Sequence, residues 1–344
     1  MQRSLEIITT GQRLTEGQST DLFRAILRGE LTTAQIVGVL SAIAARGETV
    51  DELVGAARAM RENVTRVPTD PRWAGALVDT CGTGGAPKTF NISTAAAIIA
   101  VGAGSLGGSR AGVRIAKHGN RSRTGRGSAE VLGALGVNVD ASPEVQARCL
   151  GEAGVCFCFA IHHHPAMRHG AEARKALNHP TIFNLLGPLT NPAGASRQVL
   201  GVFARDKVEL VAGALARLGA DRAMVVHGLD TLDEMTTTAP TLIAHVERGA
   251  VRTETIDAID FGIPRASLAE LTASSVDDSA RIIREILAGV PSPPADIAIW
   301  NAAGALVVGG AAEDLRGAIA LAREAIASGS ARQTLELLVR SSRG

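Results

Sequence analysis

Ala76-Leu77-Val78-Asp79-Thr80-Cys81-Gly82-Thr83-Gly84-Gly85, resumed at Asn91-Ile92-Ser93-Thr94 and the run AAAIIAV, decides the fold. A short apolar strand (ALVD) runs into three glycines within four positions, and a helical pattern follows, with Ser93 and Thr94 reading as its cap. Glycine lets backbone approach a ligand closely and adopt positive φ. A helix N-terminus offers unpaired N–H groups and the positive end of a dipole. Together they make a pyrophosphate cradle; the plainer alternative is an ordinary glycine-rich turn.

The same plan recurs outward from this stretch. The strand VRIA (113–116) leads into Lys117-His118-Gly119-Asn120-Arg121-Ser122-Arg123-Thr124-Gly125-Arg126-Gly127-Ser128 and then the helical pattern SAEVLGALG. Cations, glycines and hydroxyls crowded before a helix suit a second anion site, against the alternative of a solvated basic loop. CFCFA (156–160), VLGVFA (199–204) and AMVVH (223–227) read as further strands, with a helix over 206–218. Strand–helix alternation predicts an α/β fold with a central parallel-rich sheet, whose ligands collect at the strands' C-terminal edge. The first stretch, to about residue 65, reads as helices only. Leu22, Phe23, Ile26 and Leu27 share a face in a helix ending near Gly29. Thr32 and Thr33 cap a second helix that ends at Gly47, and Asp51 opens a third. Pro68 and Pro71 mark a linker, and the tail from Val276 is mostly helical. The expected division is a small helical N-terminal domain, 1–68, joined by a helical excursion around 165–185, and a large α/β domain, 73–344.

Composition narrows the function classes. The 344 residues carry 35 basic and 34 acidic side chains, a net charge of +1, without the basic excess that a nucleic-acid or membrane partner usually requires. Aromatics are 3% with no Tyr, which speaks against base-stacking platforms. Cys81, Cys149, Cys156 and Cys158 form no CxxC pair, so reduced thiols in a cytoplasmic protein are expected, with Cys156 and Cys158 on a buried strand. The N-terminus lacks an apolar signal-peptide core, and no run reaches about 18 apolar residues, so no membrane span is expected.

Asp233-Glu234, in HGLDTLDEM after the strand AMVVH, are adjacent carboxylates on a loop. Such a pair suits Mg²⁺, which takes few protein ligands; a solvated acidic turn is the alternative. In HHHPAMRHGAEARKALNHPTIFNLLGPLTNPAG, Arg168 and Arg174 follow His164 on a helix and Pro188 closes a turn. The Arg174 fork suits a carboxylate. Arg174 lies ten residues after His164, about three turns on an unbroken helix, so the two need not reach one ligand together. No nucleophile–base pair is visible, which leaves positioning and charge stabilisation as the chemistry. The GxGxxG match at Gly102–Gly107 is not followed by a helix, and the Gly107-Gly108-Ser109 stretch lacks the Gly at Ala111 that a nucleophile elbow needs. His162-His163-His164 point in different directions as consecutive residues and offer no zinc spacing.

GTGG…NIST, KHGNRS, HHPAMRH, TIFNLLGPLTNPAG and LDEMTTT, in this order, resemble the anthranilate phosphoribosyltransferases, and the likeness spans nearly the whole chain, through NAAGAL near Ala302. The resemblance implies a fold like that of nucleoside phosphorylases, a site in the cleft between two domains, and a homodimer. It implies transfer from 5-phosphoribosyl diphosphate to anthranilate, in tryptophan synthesis. Gly82, Gly84, Gly85, Thr89, Asn91, Ser93, Thr94, Lys117, Arg121 and Ser128 would hold the diphosphate substrate. Ser93, Asp233 and Glu234 would handle Mg²⁺, two ions per subunit. His118, Asn120, His164, Arg174 and Pro188, with Gly82, would line the anthranilate path, and His118, Asn120 and Arg174 would position the reactants. The chain departs from the family pattern at Ala86, where Asp is usual after GTGG, and at Gly125 and Arg126, where Ser and Lys are common. The loops after GTGG and KHGNR are each one residue shorter, and SLGGSRAG (105–112) is longer. Two alternatives remain at this stage: a paralogue with another aromatic acceptor, and a non-catalytic nucleic-acid-binding relative.

Overall fold

The computed structural model describes residues 2–73, 75–104, 113–121, 125–177 and 179–344. The GxGxxG match beyond Gly104, the Gly107-Gly108-Ser109 stretch, the long SLGGSRAG segment and Ser122, Arg123 and Thr124 of the basic loop therefore lie outside the described residues.

Seven strands form one sheet in the order β3-β2-β1-β4-β5-β6-β7. They are β1 Leu77–Gly82, β2 Arg114–Gly119, β3 Val155–Phe159, β4 Arg197–Gly201, β5 Arg222–Gly228, β6 Thr241–Glu247 and β7 Ala250–Ile256. β1 to β5 run parallel; β6 and β7 are an antiparallel hairpin added at one edge. The five expected strands are all present. VLGVFA is cut short, because β4 ends at Gly201 against Gly82 of β1. Strand order reverses between β1 and β4, the switch point where open α/β sheets bind ligands.

Helices Ile92–Gly104, Pro293–Gly309, Leu315–Ala327 and Ser330–Arg343 cover one face around the fully buried Trp300. The first begins at Ile92, so Ser93 and Thr94 lie inside it and are not its caps. Thr94 is 1% exposed, so its side chain is spent on packing inside the fold and is not free to close the helix end.

The N-terminal helices are Gln2–Thr9, Glu16–Leu27, Thr33–Arg46 and Val50–Glu62. Three of them start with a reciprocal capping box: Thr15 with Gln18, Thr32 with Gln35 and Thr49 with Glu52. The third cap corrects the expected start at Asp51. Their apolar faces join Ala173, Phe183 and Leu186 from helices Arg168–Leu177 and Ile182–Leu186, and continue into Leu200, Val202 and Val225 of the sheet region. The chain crosses between bundle and sheet three times, and the crossings are hydrogen-bonded together. Thr65 N donates to His163 O at 2.9 Å, His163 Nδ1 meets Thr65 O at 2.6 Å, and Val67 N donates to Pro192 O at 3.2 Å.

Candidate functional site

Loops after β1, β2, β4 and β5 gather at the switch point. Gly84 has φ +67 and Gly85 φ +101, conformations that glycine adopts without penalty. Gly84 N–H donates to Asp233 Oδ2 at 3.2 Å, which ties the glycine loop to the carboxylate loop. At Gly82 a Cβ would stand 2.7 Å from the same oxygen, so the approach needs a bare backbone. Thr83 closes the corner: its N donates to Gly201 O at 2.9 Å and its Oγ1 accepts from Phe203 N at 3.1 Å.

Asp233 and Glu234 are half-buried side by side. Burial, with the neighbouring Asp233 charge, pushes Glu234 up to about 8, while Lys117 and the Ser93 backbone N–H pull it down. Burial also raises Asp233, against the Gly84 N–H and Lys88. Two such carboxylates lack a full complement of positive charge, and this fits a divalent ion. Among the described residues no group of three or more His, Cys, Asp or Glu forms a metal cage. A shell completed by water and phosphate oxygens, as Mg²⁺ prefers, is what the donor set suits. The carboxylate loop is pinned from behind by Asn301: its Oδ1 accepts from Met235 N at 3.0 Å and its Nδ2 donates to Met235 O at 2.8 Å.

The other expected cradle residues divide. Ser93 lies at the cleft and accepts a hydrogen bond from Lys117 Nζ at 3.0 Å. Lys117 itself is 3% exposed and also donates to Thr80 O, so it braces the cradle from beneath rather than reaching into open space. Burial lowers its basicity, opposed by Asp79, Cys81, Glu234 and Asp233. Thr94 Oγ1 is buried without a partner, off the open cleft. Asn91 is held by Ser279 of helix Val276–Leu287, whose Oγ donates to Asn91 Oδ1 at 2.9 Å. Thr89 Oγ1 donates to Phe90 O at 2.9 Å. Ser128 begins its helix behind Gly127, with its Cβ near Gly119. Arg121 is exposed, its guanidinium 5.5 Å from the Phe159 ring, and Arg126 donates to Ala273 O, away from the cleft.

Beside the cradle lies a cavity of about 530 Å³, lined by Gly82, Thr83, His118, Asn120, His164, Arg174 and Pro188 together with Met60, Ile161, Arg168, Phe183, Asn184 and Gly187. The helix across this segment is broken at His164-Pro165, between helices Ala160–His163 and Arg168–Leu177. His164 and Arg174 line this one cavity from either side of the break, where the sequence, read as an unbroken helix, implied only that the two need not reach one ligand together. The three consecutive histidines do diverge: His162 meets Asp140, His163 meets Thr65 O, and His164 Nε2 lies 3.2 Å from His118 Nε2. His118 Nδ1 is 3.0 Å from Gly187 O. Beneath His118, the buried Asp79 accepts its backbone N–H at 3.0 Å, and burial raises this carboxyl to about 6. Asp79, Ser279, Asn301 and Phe183 were not singled out from the sequence. Of these only Asp79, a carboxylate inside an apolar strand run, carried a signal.

Two family patterns match the chain: a glycosyl transferase family helical bundle domain over residues 2–64 and a glycosyl transferase family a/b domain over 74–332. The anthranilate phosphoribosyltransferase of Rhodospirillum rubrum is 48% identical over 337 residues, 97% of this chain and 94% of that protein. The crystal structure of the anthranilate phosphoribosyltransferase of Thermus thermophilus is 38% identical, with a TM-score of 0.91 over 99% of both chains. That of Saccharomyces cerevisiae, in complex with PRPP and Mg, is 24% identical, with a TM-score of 0.88 over 99% of this chain and 97% of that one, and bears on the fold. With both domains matched and nearly half the residues shared along the full length, the chain belongs to the anthranilate phosphoribosyltransferase family.

Proposed function

We propose that this chain transfers the phosphoribosyl group of 5-phosphoribosyl diphosphate to the amine of anthranilate, releasing diphosphate, in tryptophan biosynthesis. The observation that carries the reading is the tie between Gly84 N–H and Asp233 Oδ2, which sets an anion cradle against a carboxylate pair at the mouth of the acceptor cavity. Gly82, Gly84, Gly85 and Ser93, with Thr89, Asn91, Arg121 and Ser128 around them, hold the diphosphate end; Lys117 and Thr94 shape the cradle from within. Asp233, Glu234 and Ser93 hold Mg²⁺, two ions per subunit, which when bound neutralises charge on the leaving diphosphate. His118, Asn120, His164, Arg174 and Pro188 receive anthranilate, with the Arg174 guanidinium on its carboxylate.

No nucleophile of the protein takes part. The chain aligns the amine with the sugar carbon and excludes competing water, so catalysis rests on proximity and fixed charge. The working protein is a cytoplasmic homodimer, and each subunit divides into 1–68 with the 165–185 excursion and 73–344. Incubation with 5-phosphoribosyl diphosphate, Mg²⁺ and anthranilate should extinguish anthranilate fluorescence. No decay with Mg²⁺ present, or equal turnover of aromatic amines lacking a carboxylate, would sink the assignment.

A further inference from the structure

The hydrogen bonds around His118 and His164 leave a single arrangement of protons. Gly187 offers a carbonyl, so His118 Nδ1, 3.0 Å away, carries the hydrogen. Burial, with the neighbouring His164, holds His118 down to about 3, and burial holds His164 to about 4, so both rings are neutral at pH 7. A neutral imidazole has one N–H, which makes His118 Nε2 an acceptor. His164 Nε2, 3.2 Å from it, therefore donates. His164 is left with a bare Nδ1. Among the described residues nothing hydrogen-bonds to that nitrogen. Unlike His163 Nε2, it is not sealed from solvent, and its residue lines the 530 Å³ cavity.

The other groups facing the ring give no competing base. They are His118 from β2, His163 beside it in the chain, and Arg168 and Arg174, which line the same cavity from the helix Arg168–Leu177. Among the described residues no carboxylate lines the cavity itself, the Asp233–Glu234 pair standing past Gly82 at its mouth, and the Cys81 thiol is held far above its ordinary range by burial.

We propose that His164 Nδ1 takes the proton that the acceptor amine loses during transfer, and that Gly187 and His118 hold the ring in the tautomer that does so. This rests on the function proposed above. The amine lone pair forms the bond to the sugar carbon. The carbon–oxygen bond to diphosphate breaks, and its electrons leave with diphosphate. One N–H proton passes from the new arylammonium to His164 Nδ1, and the imidazolium keeps its Nε2–H on His118 until water removes the extra proton. An arylammonium is a far stronger acid than an alkylammonium, so a ring of depressed basicity still takes its proton.

His164→Gln separates the two roles of the residue. Its amide N–H reaches His118 as Nε2–H does, but no basic nitrogen stands at the Nδ1 position. Rapid-quench single turnovers at saturating anthranilate should show transfer slowed by roughly 10²–10⁴-fold, with the dissociation constant of 5-phosphoribosyl diphosphate within about threefold of the wild type. In His164→Ala, added imidazole should speed transfer. A His164→Gln variant that transfers at the wild-type rate or loses only anthranilate affinity, or a His164→Ala rate indifferent to imidazole, overturns the assignment. A wild type that never consumes anthranilate overturns the underlying function instead, and the two failures are told apart by the wild-type trace alone.

Discussion

The Arg174 guanidinium carbon stands 5.5 Å from the centre of the Phe183 ring, at the wall of the acceptor cavity. Stacking of this kind restrains a planar group, and a restrained fork holds a carboxylate through two parallel bonds that lysine does not reproduce. Loss of a charged hydrogen bond costs about 1.5–3 kcal/mol, so Arg174→Ala should raise the KM for anthranilate roughly ten- to a hundredfold, and Arg174→Lys by less. The KM for 5-phosphoribosyl diphosphate should hardly move, and separate titration of the two substrates checks this. The histidine pair carries a pH signature of its own. Below the ordinary value of 6.5 the unfolded chain binds protons that the folded rings refuse until about 4 and 3, so the unfolded state gains as pH falls through that window. Melting temperature should therefore drop on acidification from pH 7 toward 5, and His164→Gln should flatten the slope by removing one of the two groups. Parallel slopes in both proteins would contradict the buried neutral pair.

On the scale of single elements, the glycine loop should tolerate little. No atom lies within 4 Å of a Cβ built at Gly84, so a side chain there meets strain and not a clash. At φ +67 that strain is about 1–2 kcal/mol, and more for a β-branched residue. Gly84→Val should thus stay folded yet lose affinity for 5-phosphoribosyl diphosphate, as titration calorimetry would reveal; unchanged affinity in the folded variant would remove the loop from the cradle. On the facing loop, Asp233→Asn combined with Glu234→Gln should abolish Mg²⁺-dependent transfer, and an active double variant in chelated buffer would exclude the carboxylates. Both loops were legible in the sequence because glycine, adjacent carboxylates and strand ends are local signals. The β6–β7 hairpin was not read: β7 is an edge strand with polar residues such as Arg252 and Glu254 exposed to solvent, and its alternation of Val251, Thr253 and Thr255 is faint. Lys117 read as a member of a basic loop, since only the pairing of β2 with β1 puts it beneath Thr80. The convergence of His164 and Arg174 was hidden by one Pro165, whose effect on chain direction depends on the bundle that the next helix packs against.

Taken whole, the molecule has two cores, one on each side of the sheet, and the second runs without a break from the N-terminal bundle to Val225. Phe23, fully buried and 5.6 Å from Phe183 in an edge-on contact, lies in the bundle part of it. Phe23→Ala should cost about 3–5 kcal/mol. Trp73 and Trp300 are the two tryptophans of the chain and both lie outside the bundle. If the shared core makes unfolding one event, their fluorescence should report the same lowered midpoint as far-ultraviolet circular dichroism. A tryptophan transition left at the wild-type temperature would mean that the bundle melts alone.

The stitching of the three chain crossings has a mechanical meaning. Thr65, His163 and Pro192 belong to three separate passages of backbone, yet Thr65 bonds to His163 and Val67 to Pro192. A body held by three cords tied at one knot keeps little freedom to slide or splay. His164 is the next residue beyond that knot, and Arg174 follows on the helix Arg168–Leu177. One wall of the acceptor cavity is thus moored at the knot, and where that wall stands depends on a few hydrogen bonds tied one residue before it begins.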